Sequence, residues 1–192
     1  MQIYFDNLIY KPSPHLLSSL IKYQAKKINV DDISTENLWG NKNLNYEDFR
    51  RLNNFYWFFS LDLKSSKKKT QNIISNWIKK NFKYDSKSWE FDLISKRIIA
   101  WLSNHSLTID ESTNDYQDLF NGMIQKQTNH LINEINKSKI IDDKIISCAA
   151  IILVGLCYKD EKNYLSYGLS LLKKISKFSF DNYGFPRSRN IK

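Results

Sequence analysis

Trp89, Arg97 and Trp101 lie eight and four residues apart. On one helix Arg97 and Trp101 would share a face, with Trp89 two turns toward the N-terminus. A guanidinium among indoles can stack on a ring or meet a carboxylate with its planar fork. Two environments give that pattern: a ligand cleft, or an aromatic core with one arginine buried against an acidic side chain. The stretch Leu52-Asn53-Asn54-Phe55-Tyr56-Trp57, together with Trp77, extends the aromatic set. A second cluster is Gly184-Phe185-Pro186-Arg187-Ser188-Arg189-Asn190. There Arg187 and Arg189 would pair with the carboxylate of an acidic sugar, and Asn190 would donate to it. A solvated terminal segment is the plainer account of the same residues.

Other chemistries find less support. His15, His105 and His130 are isolated from one another, and no cysteine or carboxylate shares a metal-ligand spacing with them. Neither a metal nor any other cofactor is expected. No glycine loop cradles phosphate and no GxSxG turn presents a serine nucleophile. Lys67-Lys68-Lys69 could neutralise phosphates, but it opens a helix and lacks interleaved aromatics, so it reads as a solvated face. Cys148 and Cys157, nine residues apart, would be separated by about 13.5 Å along a helix, too far for a bridge. They read as buried free thiols.

The whole chain is basic: 29 Lys and Arg against 20 Asp and Glu leave a net charge of +9. That suits a polyanionic partner, although Lys, Asn and Ile are abundant throughout and most lysines belong on solvated faces. With 42% hydrophobic residues, 11 Phe, 11 Tyr and 5 Trp, 192 residues can bury a real core. Five Gly and three Pro are too few for the turns of a β-sandwich. Met1 to Tyr10 carries Asp6 and Asn7 and lacks a secretory apolar region. The apolar run Ile145 to Tyr158 is too short for a membrane span. A cytoplasmic location is expected, or a periplasmic one if the N-terminus is incomplete.

These residues must be held by helices. Ser13-Pro14 is a start signal for a helix to about Lys27. Asn45 caps a second helix whose apolar positions run from Phe49 to Leu63 at spacings of three and four. Ser66 starts a third, Ser86 or Ser88 a fourth, and Thr113 or Asn114 a fifth. Asp142 opens a sixth to about Tyr158, and a seventh runs from about Glu161 to Phe178. Short connections make neighbours antiparallel. The expected fold is all-α, one helical domain over residues 1–192 built of antiparallel helical hairpins.

The order of these clusters resembles the N-terminal helical domain of the heparinase II/III-like polysaccharide lyases. That family carries an early Trp, a Leu-His-x-Phe pattern, a helix ending in Trp-Ile, then Trp-Glu with a later Arg and Trp-Leu. Here these positions are Trp39, Leu52-Asn53-Asn54-Phe55, Asn76-Trp77-Ile78, Trp89-Glu90, Arg97 and Trp101-Leu102. Some bacterial members add a loop similar to Asp-Gly-Gly-His-x-Ser-Arg-Asn-Pro, and this chain keeps Gly184 and Ser188-Arg189-Asn190. The likeness spans roughly Trp39 to Asn190. Asn53 and Pro186 stand where the family carries histidine, and Ile191 where it carries proline.

The resemblance implies an incomplete α/α toroid followed by a C-terminal β-sandwich domain. It implies β-elimination on uronate polysaccharides, with hydrogen bonds to the uronate carboxylate stabilising the developing enolate. Asn190 is then the candidate for carboxylate neutralisation. Asn53, Tyr56, Trp89, Arg97, Trp101, Arg187, Arg189 and Asn190 are the candidate substrate contacts, and a glycosaminoglycan or alginate-like chain is the partner. The β-sandwich domain would be encoded separately, so the isolated chain is expected to lack lyase activity. A helical protein-interaction module is the alternative, and a basic nucleic-acid-binding domain ranks below it.

Overall fold

The computed structural model describes residues 5, 7–15, 27–34, 38–40, 44–159, 163–179, 181 and 183. Seven α-helices are delimited among them: α1 Tyr46–Asn53, α2 Lys67–Asn81, α3 Phe91–Ser103, α4 His105–Thr108, α5 Asn114–Glu134, α6 Ile141–Cys157 and α7 Tyr164–Ser179. Short 3-10 turns cover Val30–Asp32, Tyr56–Ser60 and Ile135–Lys137. The fold is all-α; among the described residues the extended pairing is one isolated parallel bridge between Ile28 and Leu61.

Capping chemistry sets several starts. The side chains of Asn45, Ser66 and Thr113 accept from the backbone N–H groups of Asp48, Lys69 and Tyr116, satisfying donors that the first helical turn leaves open. Pro14 and His15 are helical; the rest of the expected first helix, and Glu161, lie outside the described residues. Two expected boundaries are corrected. The second expected helix stops at Asn53 because Phe55 turns left-handed at φ 60°, and Asn54 Oδ1 accepts from the Tyr56 N–H at 2.8 Å. Past the break, Phe55 and Phe58 are both in the core, at 0% exposure each. The fourth expected helix starts at Phe91, after Trp89, so Trp89 sits on the preceding turn.

Pairings of residues fix the directions. Trp101 meets Phe120 and Arg97 meets Gln127, so α3 and α5 run antiparallel. Gly155 faces Leu165 and Gly168 faces Ile152, so α6 and α7 form an antiparallel hairpin. Ser95 of α3 and Ser147 of α6 share a buried hydrogen bond of 2.9 Å. At the centre, Phe55, Trp77 and Trp101 meet edge to face with centroids 5.1–5.8 Å apart, an arrangement the aromatic quadrupole favours. Around them one continuous apolar core runs from Phe5 to Tyr164. None of the described helices is long and apolar enough to cross a membrane.

Candidate functional site

Because α3 and α6 begin where α5 ends, their termini gather at one end of the array. A groove lies there. Its inner part is a pocket of about 430 Å³ walled by Tyr84, Trp89, Phe91 and His130, with Tyr46, Arg50, Glu90, Asp92, Glu134 and Asp143 around it. A second pocket of about 500 Å³ shares Arg50, Asp92, Ile140 and Asp143 and adds Lys96 and Asp142. The two make one continuous depression.

The aromatic wall is built from three elements. His130, on α5, has ring centroids of Trp89, Tyr84 and Phe91 at 5.3, 5.5 and 5.9 Å. Trp89 is only 3% exposed, whereas Tyr84 is 65% and Tyr46 is 56% exposed. Trp89 is therefore the floor, and the two tyrosines offer open ring surface. Lys126 stands beside this wall, its ammonium 4.0 Å from the Phe82 centroid and bonded to the Phe82 carbonyl. Burial lowers its pKa.

The polar side is held by Arg50. Its guanidinium pairs with Glu90 and, at 2.5 Å, with Asp92, two carboxylates that also favour the N-terminal end of α3. The Tyr46 hydroxyl donates to Glu90 at 2.6 Å and accepts from Arg50 at 3.1 Å. Burial opposes the Arg50 charge, but the Tyr46 hydrogen bond and the nearby Asp92 and Glu90 raise its pKa. Lys96 closes on Asp92 at 2.7 Å. Asp143 has the opposite fate: burial and the charge of Asp92 push its carboxyl up, against a hydrogen bond from Ser138. Burial pushes His130 down, with Glu134 opposing, so its imidazole is neutral at pH 7. Two lining cations, Arg50 and Lys96, face five carboxylates, Glu90, Asp92, Glu134, Asp142 and Asp143, of which Glu134 is also paired with Lys137 at 2.6 Å. An acidic groove thus sits in a basic chain.

Of the candidates from sequence, Trp89 reaches this groove. Tyr56 stands at its edge, with the Lys96 ammonium 5.7 Å from its ring; burial and then Asp92 push its hydroxyl up to about 12. Arg97 and Trp101 do not line a concave face: both are 0% exposed. The Arg97 guanidinium donates to the carbonyls of Asn53 and Ser88 and to Gln127 Oε1 at 2.9–3.0 Å, and lies 3.9 Å from the Trp77 ring centroid. Burial pushes its pKa well down. It ties α1, α3, α5 and the turn before α3 together. Asn53 is committed too, accepting from Trp77 Nε1 at 2.8 Å and donating to the Phe49 carbonyl. These three are core residues: the polar atoms of Arg97 and Asn53 are taken up within the helix array, and Trp101 packs edge to face on Phe55 and Trp77. Arg187, Arg189 and Asn190 lie outside the described residues.

Sequence reasoning missed Tyr46, Arg50, Tyr84, Asp92 and Asp143. The available signal was an acidic residue at the start of a predicted helix, which reads equally well as a cap. The Lys67–Lys69 run is spent locally: Lys67 pairs with Glu111 and Lys69 with the Asp31 carbonyl. No group of three or more metal-ligating side chains occurs among the described residues. Comparison with known proteins finds no matching family model, no matching curated protein and no matching solved structure.

Chemically, the groove offers open tyrosine rings, a neutral imidazole and carboxylate oxygens that accept hydrogen bonds. That combination suits a ligand with apolar faces and many hydroxyls.

Proposed function

We propose that this chain is the helical, sugar-binding portion of a heparinase II/III-like polysaccharide lyase, part of an incomplete α/α toroid, with the glycan lying in the end groove. The observation that carries the reading is the pairing of exposed Tyr84 and Tyr46 rings with hydrogen-bonding carboxylates in one depression. The rings take the C–H faces of a sugar, and Asp143 and Glu134 accept from its hydroxyls. The resemblance in sequence adds the reaction class, β-elimination on a uronate polysaccharide, and a β-sandwich domain as partner. In that scheme Arg187, Arg189 and Asn190 meet the uronate carboxylate, since the groove itself is acidic.

Calorimetric titration with a panel of acidic and neutral oligosaccharides tests this. Binding should weaken roughly threefold to tenfold in Tyr84→Ala, from the loss of about 0.5–1.5 kcal/mol of ring contact. Lys68→Ala, on an exposed helix face, should leave it unchanged. Binding that ignores Tyr84, or no binding to any member of the panel, defeats the proposal.

A helical protein-interaction module is the second reading, favoured by the exposed Leu156 and Leu169 on the last two helices. A partner whose binding is lost in Leu169→Asp while glycans do not bind would select it.

A further inference from the structure

We infer that the buried Arg97 guanidinium is one side of a small-anion site, completed by the Ser88 hydroxyl and the Gln127 amide and suited to a halide ion. The inference goes beyond sugar binding and asks nothing of the groove. Two features carry it, a charge without a counter-charge and a surplus of donors around it.

Arg97 is 0% exposed, and a guanidinium does not shed its proton in a protein as a buried lysine or histidine can. Buried charges are as a rule paired, because the loss of hydration is large. Yet the ion pairs among the described residues all belong to other side chains. The three groups that Arg97 bonds are neutral.

The donor surplus follows from counting. A guanidinium carries five N–H groups. Nε bonds the Asn53 carbonyl, and the two terminal nitrogens bond Gln127 Oε1 and the Ser88 carbonyl. Two N–H groups remain. Ser88 Oγ and Gln127 Nε2 are also buried and have no hydrogen-bond partner among the described residues. Both belong to residues whose oxygen already holds Arg97, so each lies within one side-chain length of the guanidinium. The Gln127 amide is not free to turn, because the reverse orientation would set donor against donor. A water molecule could accept from two of these groups but would leave the charge unmatched. One halide ion accepts from several donors and matches the single charge, whereas a divalent anion would overshoot it.

The place is close beneath the candidate site. Ser88 precedes Trp89, the groove floor, and Gln127 lies one turn before His130 on α5. The bound ion would therefore tie the start of α3 to α5 through Arg97 and brace the aromatic wall from within.

Urea denaturation at constant ionic strength tests this, with chloride replacing methanesulfonate, an anion too bulky for such a site. The wild-type midpoint should rise with chloride and reach a plateau, since an ion that binds the folded chain stabilises it by mass action. Bromide should act like chloride. Ser88→Ala should raise the chloride concentration for half the effect roughly tenfold, through the loss of one hydrogen bond to a charge. Gln127→Glu sets a carboxylate beside the guanidinium and should make the midpoint high and independent of chloride. A wild-type midpoint that ignores chloride overturns the inference. So does a rise without a plateau, which is a general salt effect, and a saturable rise that Ser88→Ala and Gln127→Glu both leave unchanged, which places the ion elsewhere.

Discussion

The guanidinium carbon of Arg97 lies 3.9 Å from the centroid of the Trp77 indole, and its three hydrogen bonds end on oxygens that carry no formal charge. Sequence spacing raised two environments for this arginine, a cleft and a core with an acidic partner. The structure gives a third: a buried cation held by carbonyl and amide dipoles and an aromatic face.

Arg97→Met should therefore destabilise the fold by about 3 kcal/mol or more, because three buried acceptors lose their donor together. Arg97→Lys should recover little, since one ammonium does not reproduce a planar fork bridging three sites. Urea denaturation of both variants measures this. Near-wild-type stability of Arg97→Met would show that the tie is dispensable.

The two helix-packing glycines should differ. A Cβ on Gly155 would stand 2.4 Å from the backbone nitrogen of Leu165, whereas on Gly168 the nearest atom is Cγ1 of the Ile152 side chain at 2.7 Å. Backbone cannot yield without moving α7 away from α6, so Gly155→Ala should cost about 2–3 kcal/mol. Gly168→Ala should cost about 1 kcal/mol or less, because Ile152 can turn and alanine favours the helix. Thermal unfolding of the pair settles the order.

Much of the helix array was legible in the sequence because its causes are local. Asn45, Ser66 and Thr113 cap the helices they were expected to cap, and a cap needs only its own first turn. The break at Phe55 was not legible. The run Phe55–Phe59 is apolar all round, and a positive φ at Phe55 is favoured only by the core that Phe58 and Trp77 complete. The groove was not legible either: Tyr46, Tyr84, Asp92, His130 and Asp143 are each unremarkable in sequence. They meet because α3, α5 and α6 share an end. The same packing explains Arg97, whose acceptors come from residues 53, 88 and 127.

His130 should make stability fall on mild acidification. Burial lowers its folded pKa below the ordinary 6.5, so the unfolded chain takes up the proton first. The neutral ring's contribution is complete above the unfolded value and is lost as pH falls from about 6.5 through the lower folded value. Denaturation midpoints between pH 7.5 and 5 should decline in the wild type and decline less in His130→Asn. Equal slopes would place the proton uptake elsewhere.

The central claim is that the end groove receives a glycan against Tyr84 and His130. The most direct measurement is the change in the ring resonances of Tyr84 and His130, and in the Trp89 indole, as an oligosaccharide is added to the isotope-labelled chain. The account predicts saturable shifts of these three, absent in Tyr84→Ala, with the Trp101 indole in the core unmoved. Shifts confined to other surfaces, or none at saturating ligand, would contradict it.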